Sequence, residues 1–310
     1  MIDPTQVEWD RVRACSYLVR QVFDYEYPGR IYDLRHQLMV IPPAVFGDQQ
    51  RAVYSLQVSE AGEVLTRMDA FANTVIDVHI PLVERSITFA TWMTIERAGP
   101  PGPRALPASA LSDPRLLAVT NRTTPDAAIE QAATEIGAGG ALGLLLAEQV
   151  TQWVHSHLEY RRGVTGVETT AAEVLAIGGG VCQDYSHLMI AICRLLQLPA
   201  LYVSGHQLGE GGTHAWVEVL VSAADGSDAA EGWPFDPTHG CRGDLTYVTV
   251  AVGRDYGDVA PTSGSYRAGH DGSLTGRKEV DVTSVEYSGA ETPGLPEYPV
   301  RTSERKREVT

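Results

Sequence analysis

Three residues of this chain have the types and the order that nucleophilic chemistry on an acyl group requires. They are Cys182, then His214 32 residues later, then Asp236 after a further 22. A cysteine nucleophile needs a neighbouring base to take its proton, and that base needs a third group to fix its tautomer and orientation. Cys182 follows Gly178, Gly179, Gly180 and Val181 and opens a nearly all-apolar stretch that runs to Leu198. Glycines there let the backbone turn sharply and lie close to a substrate. A thiol in the first turn of a helix sits among unpaired N–H groups at the positive end of the helix dipole, which favours the thiolate. The chemistry expected is attack of sulfur on a carbonyl carbon, release of an amine or ammonia, and a thioester, with the Cys182 N–H as one oxyanion donor. Singly, each residue has a plainer reading: a buried structural thiol, a strand histidine, a turn aspartate before Pro237. Their order within one compact stretch carries the catalytic reading.

Positioning these groups takes a buried helix and a strand pair. Leu188, Ile192, Leu195 and Leu196 recur at helical spacing, and Met189, Ile190 and Ala191 make the helix apolar on most of its surface, so it should be buried with its tip fixed. Pro199 ends it, and 200–204 reads as a strand. In 214–221 the residues alternate, with His214, Trp216, Glu218 and Leu220 on one face and Ala215, Val217, Val219 and Val221 on the other. The polar insert 223–232 reads as a hairpin loop. Trp233 to Gly240 returns as the partner strand and pairs as far as Asp236, because Pro237 lacks a donor. Pairing through that loop brings His214 and Asp236 to one sheet end. Helices are expected over 127–135, 141–157 and 170–176.

The N-terminal part reads differently. Residues 16–98 look like strands, most clearly 31–41, 53–58 and 86–95, with a turn at Asp69 feeding another that ends at Ile80. This predicts an α+β chain: a small antiparallel β-sandwich over 1–98, a linker at 99–114 whose Gly-Pro-Pro-Gly-Pro run breaks regular structure, a core over 115–287, and a polar, disordered tail over 288–310. His36 and His79 lie in strands and read as structural.

Gly179-Gly-Val-Cys-Gln-Asp-Tyr-Ser-His187, Thr213-His-Ala-Trp-Val-Glu218 and Asp236-Pro-Thr-His-Gly240 resemble the bacterial transglutaminase-like superfamily, whose members are often described as candidate cysteine proteases. Gly253-Arg-Asp-Tyr-Gly-Asp-Val-Ala-Pro261 is similar to a further segment of that family, and the N-terminal sandwich resembles the region preceding the core in its members. The resemblance spans about residues 16–285. It implies a papain-like α+β core with Cys182 as nucleophile, His214 as base and Asp236 as orienting acid. All three positions match.

Other residues are candidates for the substrate or oxyanion side: Gln152 and Trp153 on the preceding helix, Asp184 and Tyr185 within the motif, Trp216, and Tyr256 beside Arg254 and Asp255. Asp184 also suits a helix N-terminus as a charge. His187, five positions after Cys182 and about 140° round the helix, should not reach the thiol. His206 and His239 read as polar surface residues, with a place in the cleft lining as the alternative. A zinc site from Cys182, His206, His214 and His239 matches no zinc spacing and leaves Asp236 without a task. No calcium-type acidic loop is present in the sequence, so neither metal nor cofactor is expected.

Composition narrows the partners. Among 310 residues, 44% are hydrophobic and 20% charged, ordinary for a globular protein, while a net charge of −15 argues against nucleic acid and anionic membrane. No apolar run approaches the length of a membrane helix, and the N-terminal residues lack the basic-then-apolar pattern of a signal peptide, so a cytoplasmic location is expected. Cys15, Cys182, Cys193 and Cys241 include no C-x-x-C pair and read as reduced thiols; Cys182 and Cys193 stand about 16 Å apart along one helix, too far to pair. The expected activity is hydrolysis of a peptide or protein amide. Transfer of the acyl group to an amine, or a peptide-binding scaffold without turnover, are the alternatives; the oligomeric state stays open.

Overall fold

A computed structural model describes residues 1–98, 102–209 and 211–288. Its strands are β1 (Val12–Glu26), β2 (Ile31–Leu38), β3 (Val45–Phe46), β4 (Gln49–Val58), β5 (Glu63–Met68), β6 (Thr74–Val83), β7 (Ser86–Ala98) and β8 (Arg104–Pro107). The helical part follows with α1 (Pro114–Leu117), α2 (Ala127–Gly137), α3 (Gly143–His157), β9 (Glu159–Tyr160), α4 (Ala171–Ile177), β10 (Gly179–Gly180) and α5 (Cys182–Leu195). The chain continues with β11 (Ala200–Gln207), β12 (His214–Ser222), β13 (Ala229–Asp236), β14 (Cys241–Arg242), β15 (Tyr247–Gly253), α6 (Tyr256–Val259), β16 (Thr262–Arg267) and β17 (Ser273–Tyr287).

Two antiparallel sheets, ordered β17-β1-β7-β4-β3 and β16-β2-β6-β5, enclose the expected N-terminal sandwich core of Tyr17, Phe89, Leu34, Ile80 and Met93. The strand pairing departs from the expected core boundary at 287. β17 lies along β1 from Val12 to Glu26, and β16 pairs with β2, so residues 262–287 close the N-terminal sheets. The reason is edge geometry: the first five residues of β17 are exposed, and its Arg277, Lys278, Glu279 and Asp281 hide the strand signal in a polar run, although Val280, Val282 and Val285 pack on the sandwich core.

The second layer is a sheet ordered β14-β13-β12-β11-β15, with α5 packed on it. Alternation along β12 divides as the sequence indicates. Ala215, Val217, Val219 and Val221 join Leu188, Met189, Ile190 and Ile192 of α5 in one apolar cluster, while Trp216 and Leu220 join another. Every residue of α5 from Asp184 to Arg194 is buried, as a helix apolar on most sides should be. Buried Arg194 is satisfied by Thr123 Oγ1 and by the carbonyls of Leu116 and Arg254.

Two local expectations change. The hairpin loop is shorter than 223–232, because β13 already begins at Ala229, where Ala230 is small enough to be fully buried. The expected linker is not wholly irregular either. β8 adds to the open edge of β13, pairing Leu106 with Ala230, and Arg104 forms a two-pronged ion pair with buried Glu218 at 2.8 and 2.9 Å. The expected tail lies, from residue 289 on, outside the described residues.

The sandwich covers the other edge of the core sheet. β15 is the terminal strand, and side-chain amides from the sandwich satisfy its outward backbone groups much as a further strand would. Gln49 accepts from the Thr249 N–H at 2.9 Å and donates to its carbonyl at 2.8 Å; Asn73 does the same for Val252 at 2.8 and 2.7 Å. Arg97 adds bonds to the carbonyls of Asp244 and Tyr247. No helix among the described residues is long and apolar enough to cross a membrane.

Candidate active site

Local backbone chemistry fixes the tip of α5. Gly178 ends α4 in the left-handed region at φ 70°, where a side chain is strained. The chain then pairs in parallel with β9, Gly179 facing Glu159 and Gly180 facing Tyr160. Val181 is the N-cap of α5, and Asp184 reaches back to its N–H at 2.7 Å, half of a capping box. The Asp184 carboxylate also accepts from Thr165 at 2.6 Å and fills the space beside Gly180, where a Cβ would lie 2.4 Å from Oδ2. Cys182 is therefore the first helical residue, half-buried, its N–H among those with no acceptor inside the helix.

The register of β12 with β13 supplies the other two groups. Val217 faces Phe235, so Asp236 comes level with Trp216, two residues along the same face from His214. Asp236 Oδ2 accepts from His214 Nε2 at 2.7 Å, which leaves Nδ1 free of that bond, and Cys182 lines the same cleft as the ring. Burial opposes a charged ring at His214. The bond to Asp236 and the influence of the Cys182 sulfur outweigh it and push the pKa up to about 10.

Asp236 is fully buried and saturated with donors. Its Oδ2 also accepts from His239 Nδ1 at 2.7 Å and from the Tyr247 hydroxyl at 2.8 Å; its Oδ1 takes the N–H groups of Thr238 and His239 at 2.8 and 3.3 Å. Burial alone would raise the pKa of this carboxyl. The bonds from His214 and His239 reverse that and hold it well below the usual carboxylate range. Tyr247 is pushed well above the ordinary phenol value, first by burial and then by the facing carboxylate, so it remains a donor.

Cys182 and His214 line a cleft of about 590 Å³, together with Tyr160, Arg162, Tyr202, Ser204, the 211–213 segment and Tyr256. Of the lower-ranked candidates, only Tyr256 lines it. Gln152 does not supply an oxyanion donor, since its amide is bonded to the Gly240 carbonyl at 2.5 Å, and Trp153 stacks on His157 at 3.8 Å. Asp184 is the helix cap described above, its pKa raised by burial. Tyr185 is buried and donates to the Leu158 carbonyl at 2.8 Å, and Trp216 packs edge-on against Tyr247 on the sheet face away from α5. None of these five lines the cleft. Arg254 pairs with Asp258, and Asp255 caps α6.

Of the remaining histidines, His187 lies where expected, whereas His206 and His239 do not. His187 is buried and accepts the Tyr256 N–H at 3.1 Å, away from the thiol as its helix angle requires; burial lowers its pKa to about 3. His206 is buried rather than on the surface, and burial brings it too to about 3. His239 is the partner of Asp236 that sequence reasoning missed. Its place two residues after Pro237, in a turn closing on the aspartate, was the available signal. Tyr247 offered none.

The donor atoms of His214, Asp236 and His239 lie within 4.8 Å of one another, compact enough to attract a metal ion. One nitrogen of each ring, His214 Nε2 and His239 Nδ1, is spent on the same carboxylate oxygen, however, and a nitrogen that ligates an ion must turn its lone pair to it. The donor set fits a hydrogen-bonded carboxylate better. Cys182 and His206 stand outside that group, so the four-residue zinc set is not assembled. All four cysteines are free: Cys15 and Cys193 buried, Cys182 half-buried and Cys241 exposed.

Residues 130–237 match the family model of the transglutaminase-like superfamily. An uncharacterised protein of Mycobacterium leprae is 35% identical over 125 residues, 37% of this chain and 42% of that protein. One of Mycobacterium tuberculosis is 34% identical over 147 residues, 44% of this chain and 45% of its own length. The chain thus spans less than half the length of these relatives. The crystal structure of a candidate cysteine protease from Cytophaga hutchinsonii superposes with a TM-score of 0.70 at 18% identity, over 89% of this chain and 93% of that one. The α+β fold, sandwich and core together, is shared with it.

Proposed function

From a chain carrying a transglutaminase-like core at residues 130–237, we propose a cysteine-dependent hydrolase of peptide or protein amides. One observation carries the proposal: His214, hydrogen-bonded at 2.7 Å to a saturated, buried Asp236, shares the wall of an open cleft with Cys182, whose sulfur helps to raise the pKa of the ring. His214 takes the proton from the Cys182 sulfur, and the thiolate attacks the amide carbon. The resulting oxyanion meets the Cys182 N–H at the start of α5. The C–N bond breaks as His214 returns its proton to the leaving nitrogen, and a thioester remains on Cys182. Water, deprotonated by His214, then attacks that thioester; the C–S bond breaks, the acid leaves, and the thiol is restored. Asp236 holds the ring in one tautomer and stabilises its charged form throughout.

Water is favoured over an amine as the resolving nucleophile by the charge of the cleft. An acceptor amine arrives as a cation, and no carboxylate is among the described residues that line the site. The proposal is tested by screening amide substrates, including glutamine, isopeptide and D-amino-acid amides, against wild type and Cys182→Ala. Turnover that is lost in Cys182→Ala, with a free acid as product even in millimolar glycine amide, is expected. Turnover that survives in Cys182→Ala overturns the mechanism, and amide-exchanged product as the main species overturns hydrolysis.

A further inference from the structure

The cleft carries a fixed charge of a sign opposite to that of the chain as a whole. Net charge is −15, yet among the described lining residues the permanently charged side chain is Arg162, and none is acidic. The backbone sets where this arginine begins. β9 pairs with the two glycines that lead to the nucleophile, and the Arg161 N–H continues that pairing to the Gly180 carbonyl at 2.8 Å. Arg162 is thus the next residue after a hydrogen bond made two positions before Cys182. Its guanidinium stands 6.0 Å over the ring of Tyr160, which also lines the cleft. Other arginines near the site are spent: Arg161 on the Ile177 carbonyl, Arg122 on Glu168 and Arg254 on Asp258. Arg162 has no carboxylate within ion-pair distance among the described residues. A planar, always-charged donor fork left uncommitted beside a nucleophile suits a carboxylate.

We propose that Arg162 selects amide substrates bearing a free carboxylate on the acyl side of the cleaved bond, such as a glutamyl or aspartyl residue. This rests on the hydrolase reading above and specifies its substrate class. The long-range field of an acidic protein repels anions, but that field is screened beyond about 8 Å at physiological salt, whereas a contact inside the cleft is not.

The test compares N-acetylglutamyl and N-acetylglutaminyl aminomethylcoumarin amides, equal in size and differing in one charge. Wild type is expected to favour the glutamyl amide by about tenfold in kcat/KM, the low end for a charge-assisted hydrogen bond at an exposed site. Arg162→Gln should bring the ratio to about one, and Arg162→Glu should invert it in favour of the glutaminyl amide. Calorimetric binding of N-acetylglutamate amide and N-acetylglutamine amide to Cys182→Ala reads the same preference without turnover. Equal rates on the pair, or a preference that persists in Arg162→Gln, overturn the selection while Cys182-dependent cleavage leaves the hydrolase standing. If neither amide is cleaved, equal binding overturns it, whereas carboxylate-preferring binding that is lost in Arg162→Gln/Cys182→Ala supports it.

Discussion

At the scale of residues, the account turns on how one carboxylate is used. Asp236 accepts from two imidazoles, a phenol and two backbone N–H groups, so it stays ionised in a buried place and holds His214 charged. Activity that needs a charged His214 should fall on the alkaline side near pH 10, not near the 6.5 of a free ring. In Asp236→Asn this limb should move down by more than one pH unit, with kcat/KM lowered roughly a thousandfold. A pH–rate profile reads both. The same shifts set stability. Because the folded pKa of His214 is raised, its contribution is whole below 6.5 and is lost between 6.5 and about 10. The folded pKa of Asp236 is depressed, so its contribution is present above about 3.8 and is lost as pH falls below that. Urea midpoints measured from pH 3 to 10 should therefore peak in the mildly acidic range, and Asp236→Asn should flatten both flanks.

At the scale of elements, the sequence made the site legible where a periodic pattern met a motif. The apolar run after Cys182 and the alternation from His214 to Val221 each fix a face, and together they place the thiol and the imidazole at one end of one layer. What stayed hidden depended on contacts between distant segments. β8 forms because Arg104 finds Glu218 and Leu106 finds a sheet edge, neither visible in a Pro-rich run. β17 reads as polar because its exposed first half and its charged residues outnumber the valines that it packs on the sandwich core. Gln152 sits on the right helix for an oxyanion donor, yet faces the Gly240 carbonyl. Gly180 offers a test at this scale. Any Cβ there displaces the Asp184 carboxylate from the start of α5, so Gly180→Ala should cost about 2 kcal/mol of stability and reduce turnover together. Thermal unfolding beside a kinetic assay checks it; a variant with unchanged stability contradicts the capping role.

At the scale of the whole molecule, the sandwich meets the core along β15 and beside the cleft, where the Met39 N–H donates to the carbonyl of cleft-lining Pro261 at 3.0 Å. Gln49 and Asn73 satisfy the outer edge of that strand, and Tyr247 at its start reaches Asp236. Loosening the seam should therefore be felt at the triad. Asn73→Ala leaves two buried backbone groups of Val252 without partners and should lower stability by about 2–4 kcal/mol. It should also speed proteolysis of the intact chain between sandwich and core. Equal unfolding midpoints for Asn73→Ala and wild type would mean the two layers stand independently.

The central claim is that His214 activates Cys182, and competitive alkylation reads it most directly. Limiting iodoacetamide at pH 7, followed by peptide mapping, compares Cys182 with the exposed Cys241 in the same molecule, which is a fairer reference than buried Cys15. The account predicts labelling of Cys182 at least tenfold faster than Cys241, with that advantage lost in His214→Ala. Cys182 labelled no faster than Cys241, or equally fast without the imidazole, would contradict it.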